Sequence, residues 1–330
     1  MNITILGTGA WATALAQVLV DNGHDVFLYG IDSSQVADIN EAHRNRAFFG
    51  EQPIDEKIKA TLDLKSALAR AETIVLAVPT GAMEGLCRQI NPHLTRRITL
   101  VNVAKGFTDD NRRMSEVIKA TIDEKKRYPL VSLIGPSHAE EVILRHLTAI
   151  SATSKSKTRA RKVAELFSNQ YFRVYIQTDE IGAEIGVAMK NAIAIASGII
   201  EGLGLGDNAR AALVTRGLAE MTAFGRRHGG KLKTYLGLTG LGDLIVTCYS
   251  FHSRNFKAGL QIGRDDDARP FLDHNKTTVE GIRAAKTIHE LSLKHHVETP
   301  IVEAVYRVLY QGAKPSEMVA FMMLRPLKHE

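Results

Sequence analysis

A lysine in the middle of an apolar stretch carries the clearest chemical signal in this chain. Lys190 lies in Ala188-Met189-Lys190-Asn191-Ala192, within residues 181–205, a run rich in Ala, Gly and Ile. A lysine removed from water gives up its proton more readily, which suits it to exchange protons near neutral pH. The structural alternative is a lysine that threads its ammonium out to solvent. Asn191 beside it offers both a donor and an acceptor. Ala194 and Ser197 fall on the helical face of Lys190, so that face is expected to stay open to a small ligand. A second lysine, in Ala104-Lys105-Gly106, ends an apolar run, where it could meet an anion or a polarised carbonyl; an exposed loop lysine is the alternative. Asp243 and Thr247, four residues apart after Gly240-Leu241-Gly242, are spaced to share a helical face. Asp243 could equally be a helix cap. Ser253 can cap the helix that follows it, and Arg254 is a natural bidentate partner for a phosphate, or else a surface arginine.

These residues need a scaffold, and its first part is written at the start of the chain. Gly7-Thr8-Gly9-Ala10-Trp11-Ala12 follows the apolar run Ile3-Thr4-Ile5-Leu6 and opens a helical spacing at Leu15, Val18 and Leu19. Strand, glycine turn and helix form the context of a dinucleotide site: Gly7 allows the turn, Gly9 admits a pyrophosphate, and Ala12 lets helix and strand pack closely. Further apolar runs at 26–29, 73–78, 98–103, 130–134, 148–152 and 172–176 alternate with amphipathic stretches. Runs apolar almost throughout predict parallel strands covered on both faces, hence a doubly wound α/β sheet ending near residue 178. Ligands bind such sheets at the carboxyl ends of the strands, where Pro79-Thr80, Lys105 and Gly135-Pro136-Ser137-His138-Ala139 fall. Beyond Asp179 only helical periods remain. The expected division is a dinucleotide-binding domain, 1–179, and an all-helical substrate domain, 180–330. A membrane span is the rival reading of 181–205, but Glu184, Lys190 and Asn191 inside it favour a buried central helix, and no membrane insertion is expected.

Composition narrows the class. The chain has 330 residues, 45% hydrophobic and 24% charged, enough for two folded domains. Two distant cysteines, Cys87 and Cys248, suit a reducing cytoplasm rather than a disulfide scaffold. The N-terminus enters a candidate strand at once, without a signal-like run, so a secretory leader is not expected. Twelve histidines are scattered, and neither they nor the cysteines have metal-ligand spacing. The adjacent His295-His296 reads as solvated, and Asp265-Asp266-Asp267 is an acidic turn without an assigned role. The formal net charge of +6 suits anionic ligands. Basic residues are not interleaved with aromatics, so nucleic acid is not an expected partner. The densest cationic run, 155–162, reads as a solvated face.

Taken in order, these motifs closely resemble NAD(P)-dependent glycerol-3-phosphate dehydrogenases of the bacterial type. The resemblance rests on Gly7 to Ala16, Ala104-Lys105-Gly106, Gly135 to Ala139, Lys190-Asn191, Gly240 to Leu244, Ser253-Arg254-Asn255 and Val279-Glu280-Gly281, and spans nearly the whole chain. It implies a Rossmann-like domain followed by an all-α domain of the 6-phosphogluconate-dehydrogenase-like type. It implies interconversion of dihydroxyacetone phosphate and glycerol 3-phosphate with NAD(H) or NADP(H) and no metal, in a cytoplasmic enzyme that feeds phospholipid synthesis and is commonly a homodimer. Lys190 then looks like the general acid/base. Lys105, Gly135, Ser137, Asn191, Asp243 and Thr247 look like substrate-site residues, with Ser253, Arg254 and Asn255 as the phosphate clamp. Gly7, Gly9, Ala10, Trp11, Ile31, Lys105, Ala139, Arg254, Val279 and Glu280 look like cofactor contacts. The chain departs from the pattern at Ile31, where bacterial members often carry a basic or imidazole residue beside the adenosine ribose. Ile31 cannot pair a 2′-phosphate, and Asp32, about 20 residues beyond the glycines, would favour the unphosphorylated ribose. The family nevertheless often uses NADPH with an Asp nearby, so both cofactors stay open.

Overall fold

The computed structural model describes residues 1–275 and 277–326. The chain divides into two compact units, Met1–Glu180 and Ile181–Glu330.

The first unit is built on one eight-stranded sheet: β1 (Asn2–Leu6), β2 (Asp25–Tyr29), β3 (Lys59–Thr61), β4 (Thr73–Leu76), β5 (Thr99–Asn102), β6 (Val131–Ile134), β7 (Thr148–Thr153) and β8 (Phe172–Gln177). The spatial order is β3-β2-β1-β4-β5-β6-β7-β8. β1 pairs in parallel with β2 and β4, with Leu6 opposite both Tyr29 and Leu76. Alternate residues of the sheet face two cores. Ile3 and Ile5 pack with Leu15, Val18 and Leu19 of α1 (Ala10–Asp21) and with Phe172. Leu6, Ile74 and Leu76 pack with α2 (Met83–Ile90) and α3 (Met114–Thr121) on the other side. Two covered faces explain why the central strands read as mostly apolar runs.

Two details differ from the sequence expectation. β3 is only three residues long and begins with exposed Lys59, the signature of a protected edge rather than a buried strand. β7 runs antiparallel to β6, while β8 is again parallel to β7. The link between β6 and β7 holds just the helical turn Ala139–Val142, whereas β7 and β8 are joined by the full helix α4 (Lys157–Phe167). Parallel neighbours need a crossover of that larger kind.

The second unit is helical: α5 (Glu180–Gly202), α6 (Gly206–Arg227), α7 (Asp243–Tyr249), α8 (Arg254–Asp265), α9 (Glu280–His295), α10 (Pro300–Tyr310) and α11 (Pro315–Met323) are its main elements. By length and composition α5 could cross a membrane, yet 94% of its most apolar window is buried inside the fold, so it is a core helix. Its approach to α8 is unusually close. A Cβ on Gly259 would lie 2.0 Å from the Ile195 carbonyl oxygen, and one on Gly198 would lie 2.1 Å from that of Phe256. Glycine at both positions lets the two backbones touch, which fixes α5 against the helix that opens with Arg254.

Candidate functional site

The glycine turn in the first unit is shaped for a phosphate. Gly7 has φ +133°, and a Cβ there would sit 2.5 Å from the Ala77 carbonyl oxygen, so no other residue fits without backbone movement. Gly9 is the N-cap of α1, makes no side-chain cap, and has nothing within 4 Å of where its Cβ would be. The first turn of α1 contains no acidic side chain. The N–H groups of Ala10, Trp11 and Ala12 therefore open onto a clear, electropositive space, as a cofactor pyrophosphate requires. Trp11 packs against Phe172, with ring centroids 6.4 Å apart, and its buried indole N–H has no partner among the described residues. Ala139 opens a helical turn that packs against α1. The residues present thus fit a dinucleotide.

The turn is held by residues that pattern reading missed. Buried Asn45 donates from Nδ2 to the Thr8 carbonyl and to Thr13 Oγ1, both at 2.8 Å. Thr8 Oγ1 donates to Gln35 Oε1 at 2.8 Å. Neither Asn45 nor Gln35 falls in an apolar period or a known turn dipeptide, so the sequence offers no signal for them.

At the end of β2, Ile31 is 89% exposed. Asp32 points back into its own helical turn. It accepts from Ser34 N at 2.9 Å, Ser34 Oγ at 2.6 Å and Gln35 N at 3.2 Å, capping residues Ser33–Ala37. These bonds, the Ser34 hydroxyl first, hold its carboxyl below the usual aspartate range.

At the ends of β5 and β6 the chain brings Lys105, Gly135 and Ser137 together. Lys105 Nζ donates to the Gly135 carbonyl at 3.4 Å, and Ser137 Oγ donates to the same oxygen at 3.0 Å. Gly135 has φ +154°, and a Cβ there would lie 2.9 Å from Ile150 Cα, so the turn that gathers these two donors depends on glycine.

The second unit gathers the other candidates into one hydrogen-bonded cluster. Lys190, 5% exposed, donates from Nζ to Asp243 Oδ1 at 2.6 Å and to Thr247 Oγ1 at 2.7 Å. Asp243 is 1% exposed and begins α7, and Thr247 lies one turn later on the same face. A buried ammonium needs a countercharge, and Asp243 provides one while Thr247 fixes the direction of Nζ. Asn191 Nδ2 donates to Glu280 Oε2 at 3.1 Å. Asn255 donates to Asn191 Oδ1 at 3.0 Å and accepts from Gly281 N at 2.8 Å, so both its polar atoms tie α5 to the start of α9. Val279 is the buried N-cap of α9, directly before Glu280. Ser253 is the N-cap of α8 and accepts from Phe256 N at 3.2 Å. Arg254 is exposed and makes no hydrogen bond or ion pair among the described residues. One expectation is corrected. The face of α5 beyond Lys190 is not open: Ala194 and Ser197 are fully buried, and Ser197 Oγ donates to the Cys248 carbonyl at 2.8 Å, because α7 packs against it. Among the described residues, no group of three or more His, Cys, Asp or Glu side chains could hold a metal ion.

The chain as a whole is similar to known proteins. The family model for the N-terminus of NAD-dependent glycerol-3-phosphate dehydrogenase matches residues 2–160, and that for its C-terminus matches residues 179–320. Glycerol-3-phosphate dehydrogenase (NAD(P)+) of Bacillus subtilis (strain 168) is 45% identical over 99% of this chain and 95% of its own length. The protein of that name from Listeria monocytogenes serotype 4a (strain HCC23) is 46% identical over 99% of this chain and 97% of its own. The crystal structure of glycerol-3-phosphate dehydrogenase from Coxiella burnetii superposes with a TM-score of 0.91 at 35% identity, covering 98% of this chain and 99% of that one. A glycine turn shaped for a dinucleotide, a buried Lys–Asp–Thr cluster and similarity along the full length agree: the chain belongs to the NAD-dependent glycerol-3-phosphate dehydrogenase family.

Proposed function

We propose that this chain interconverts dihydroxyacetone phosphate and sn-glycerol 3-phosphate, acting in the cytoplasm to supply glycerol 3-phosphate for glycerophospholipid synthesis. The observation that carries the reading is the buried Lys190–Asp243–Thr247 cluster, an ammonium held in one direction on a rigid core helix. When bound, a reduced nicotinamide supplies the hydride that C2 of the ketone accepts. As that bond forms, negative charge grows on the C2 oxygen, and Lys190 Nζ delivers the proton that quenches it. Asp243 and Thr247 keep Nζ aimed, so little reorganisation is needed in the transition state. Lys105 is the second cation we assign to the substrate. Arg254, with no ion pair among the described residues, is assigned to its phosphate, and fixing that end makes the reaction effectively unimolecular. Asn255 positions Asn191 and the start of α9, next to Glu280.

A homodimer is the assembly we expect. An apolar groove of about 270 Å³ on the helical unit, lined by Ile199, Leu213, Val308 and Met318 among others, supports it.

The test follows absorbance of NADH and of NADPH after adding dihydroxyacetone phosphate, and separately dihydroxyacetone. Oxidation is expected with the phosphorylated ketone alone. Lys190→Ala should lower kcat by about a thousandfold, the scale of a lost general acid, while cofactor binding stays within about twofold. Near-normal turnover in that variant would remove Lys190 from the chemistry, and no oxidation by the folded wild type would overturn the function.

A further inference from the structure

The cationic run 155–162 takes no part in the chemistry above, yet the fold gives it a defined place. It begins where β7 ends, and β7 is antiparallel to β6. It therefore starts at the amino-terminal edge of the parallel strands, opposite the edge that carries Gly7, Lys105 and Gly135. Strands of this length set the two edges ~15 Å apart. At that far edge lies a pocket of about 290 Å³ whose charged lining is Arg97, Lys119, Arg127 and Lys155 with Glu124 and Glu180.

Apart from Lys119, these cations have no carboxylate partner among the described residues. Arg97 gives Nε and Nη2 to the Arg127 carbonyl at 3.3 and 3.1 Å, and Arg127 gives Nε to the Ile122 carbonyl at 3.2 Å. Carbonyls fix the planes of these guanidinium groups without cancelling their charge. Tyr128 brings one more charge beside Arg97: the Arg159 guanidinium lies 3.4 Å from its ring centroid and that of Arg97 lies 4.9 Å from it. Lys155 and the Arg159 guanidinium have no hydrogen bond or ion pair among the described residues. Lys119 pairs with Glu180. Four lining cations thus face two carboxylates, one of them already engaged, and Arg159 adds a further charge at the rim. Like charges gathered around a recess create a field that only an anion relieves, and guanidinium forks match tetrahedral oxyanions.

We infer that this pocket binds a phosphate-bearing anion of at least two negative charges, at a regulatory site separate from the cofactor and substrate seats. The link to the chemistry is the Lys119–Glu180 pair: Glu180 is the first residue of α5, the helix that bears Lys190, so an anion that takes Lys119 from Glu180 removes one contact at the start of that helix.

The test is calorimetric titration of the full chain with inorganic pyrophosphate. NADPH and glycerol 3-phosphate are present at saturation. Both are reduced, so no turnover occurs, and they fill the other phosphate seats; this step rests on the function proposed above. Wild type should bind one pyrophosphate per chain, more weakly as salt rises. Lys155→Glu with Arg159→Glu, both on the surface, should weaken binding at least tenfold while leaving turnover unchanged. Glu180→Gln should tighten it severalfold, since the anion no longer competes for Lys119. Absence of saturable binding, or equal binding in the double reversal, overturns the site; no gain in Glu180→Gln overturns the exchange at Lys119. Saturable binding that the double reversal removes, in a protein that does not oxidise either cofactor with dihydroxyacetone phosphate, would keep the site and discard the proposed function instead.

Discussion

At the scale of single residues, we assign cofactor choice to Ile31 and Asp32. Sequence spacing makes Asp32 a candidate to hold the ribose hydroxyls. In the fold its oxygens accept from Ser34 and Gln35, so its charge serves a helical turn first. On that assignment Ile31, 89% exposed, is the side chain that a 2′-phosphate would meet. It offers no donor, so wild type is expected to have a higher kcat/KM with NADH than with NADPH. Ile31→Arg places a guanidinium at that point and should raise kcat/KM for NADPH about tenfold or more, equivalent to ~1.4 kcal/mol, with NADH little changed. Steady-state comparison of the two cofactors on both proteins checks this. A wild type that already prefers NADPH would mean that another cation reaches the ribose.

At the scale of elements, what was legible followed from burial. The runs at 98–103 and 130–134 contain β5 and β6 because strands covered on both faces are mostly apolar, and their buried polar side chains, Asn102 and Ser132, satisfy each other by a hydrogen bond. Lys190 stood out for the same reason, as a charge in an apolar helix, and Asp243 with Thr247 stood out by their i,i+4 spacing. β3 was invisible because three residues at an exposed edge carry no pattern. The reversal of β7 was invisible because strand direction is set by the connection, not by side chains. Asn45 and Gln35 act across 32 and 27 residues of sequence, contacts that only folding creates. The contact of α5 with α8 belongs to this scale too. Gly259→Ala puts a methyl 2.0 Å from the Ile195 carbonyl oxygen, which no rotamer can relieve. The helices must separate, at a cost of about 1–3 kcal/mol, the range for overpacking a core. The same separation pulls Arg254 away from the helix of Lys190. Gly259→Ala should therefore lower Tm and raise KM for dihydroxyacetone phosphate together. A lowered Tm with unchanged KM would show that the contact serves stability alone.

At the scale of the whole molecule, pH is written into the stability through one buried carboxyl. Glu220 of α6 is 6% exposed and caps α10, accepting from Ile301 N at 2.9 Å and Val302 N at 3.0 Å. Pro300 opens that helix without an N–H of its own, so Glu220 serves the first two donors available. Burial pushes its carboxyl up to about 7 from an ordinary 4.5, against the opposing pull of the two N–H groups and of Arg325 and Arg216. The folded chain thus holds this proton where the unfolded chain has released it. Stability from this group is complete below about pH 4.5 and is lost as pH rises through about 7. The total loss is about 3 kcal/mol, from a difference of roughly 2.5 pH units at 1.36 kcal/mol each. Glu220→Gln keeps one acceptor and never ionises. It should be the less stable protein at pH 5, where it lacks a second oxygen for the cap, and should gain on wild type steadily towards pH 8. Urea unfolding of both proteins at intervals across that range measures the difference. Parallel curves would mean that Glu220 keeps the same charge folded and unfolded, and that the cap is an ionised one at every pH tested.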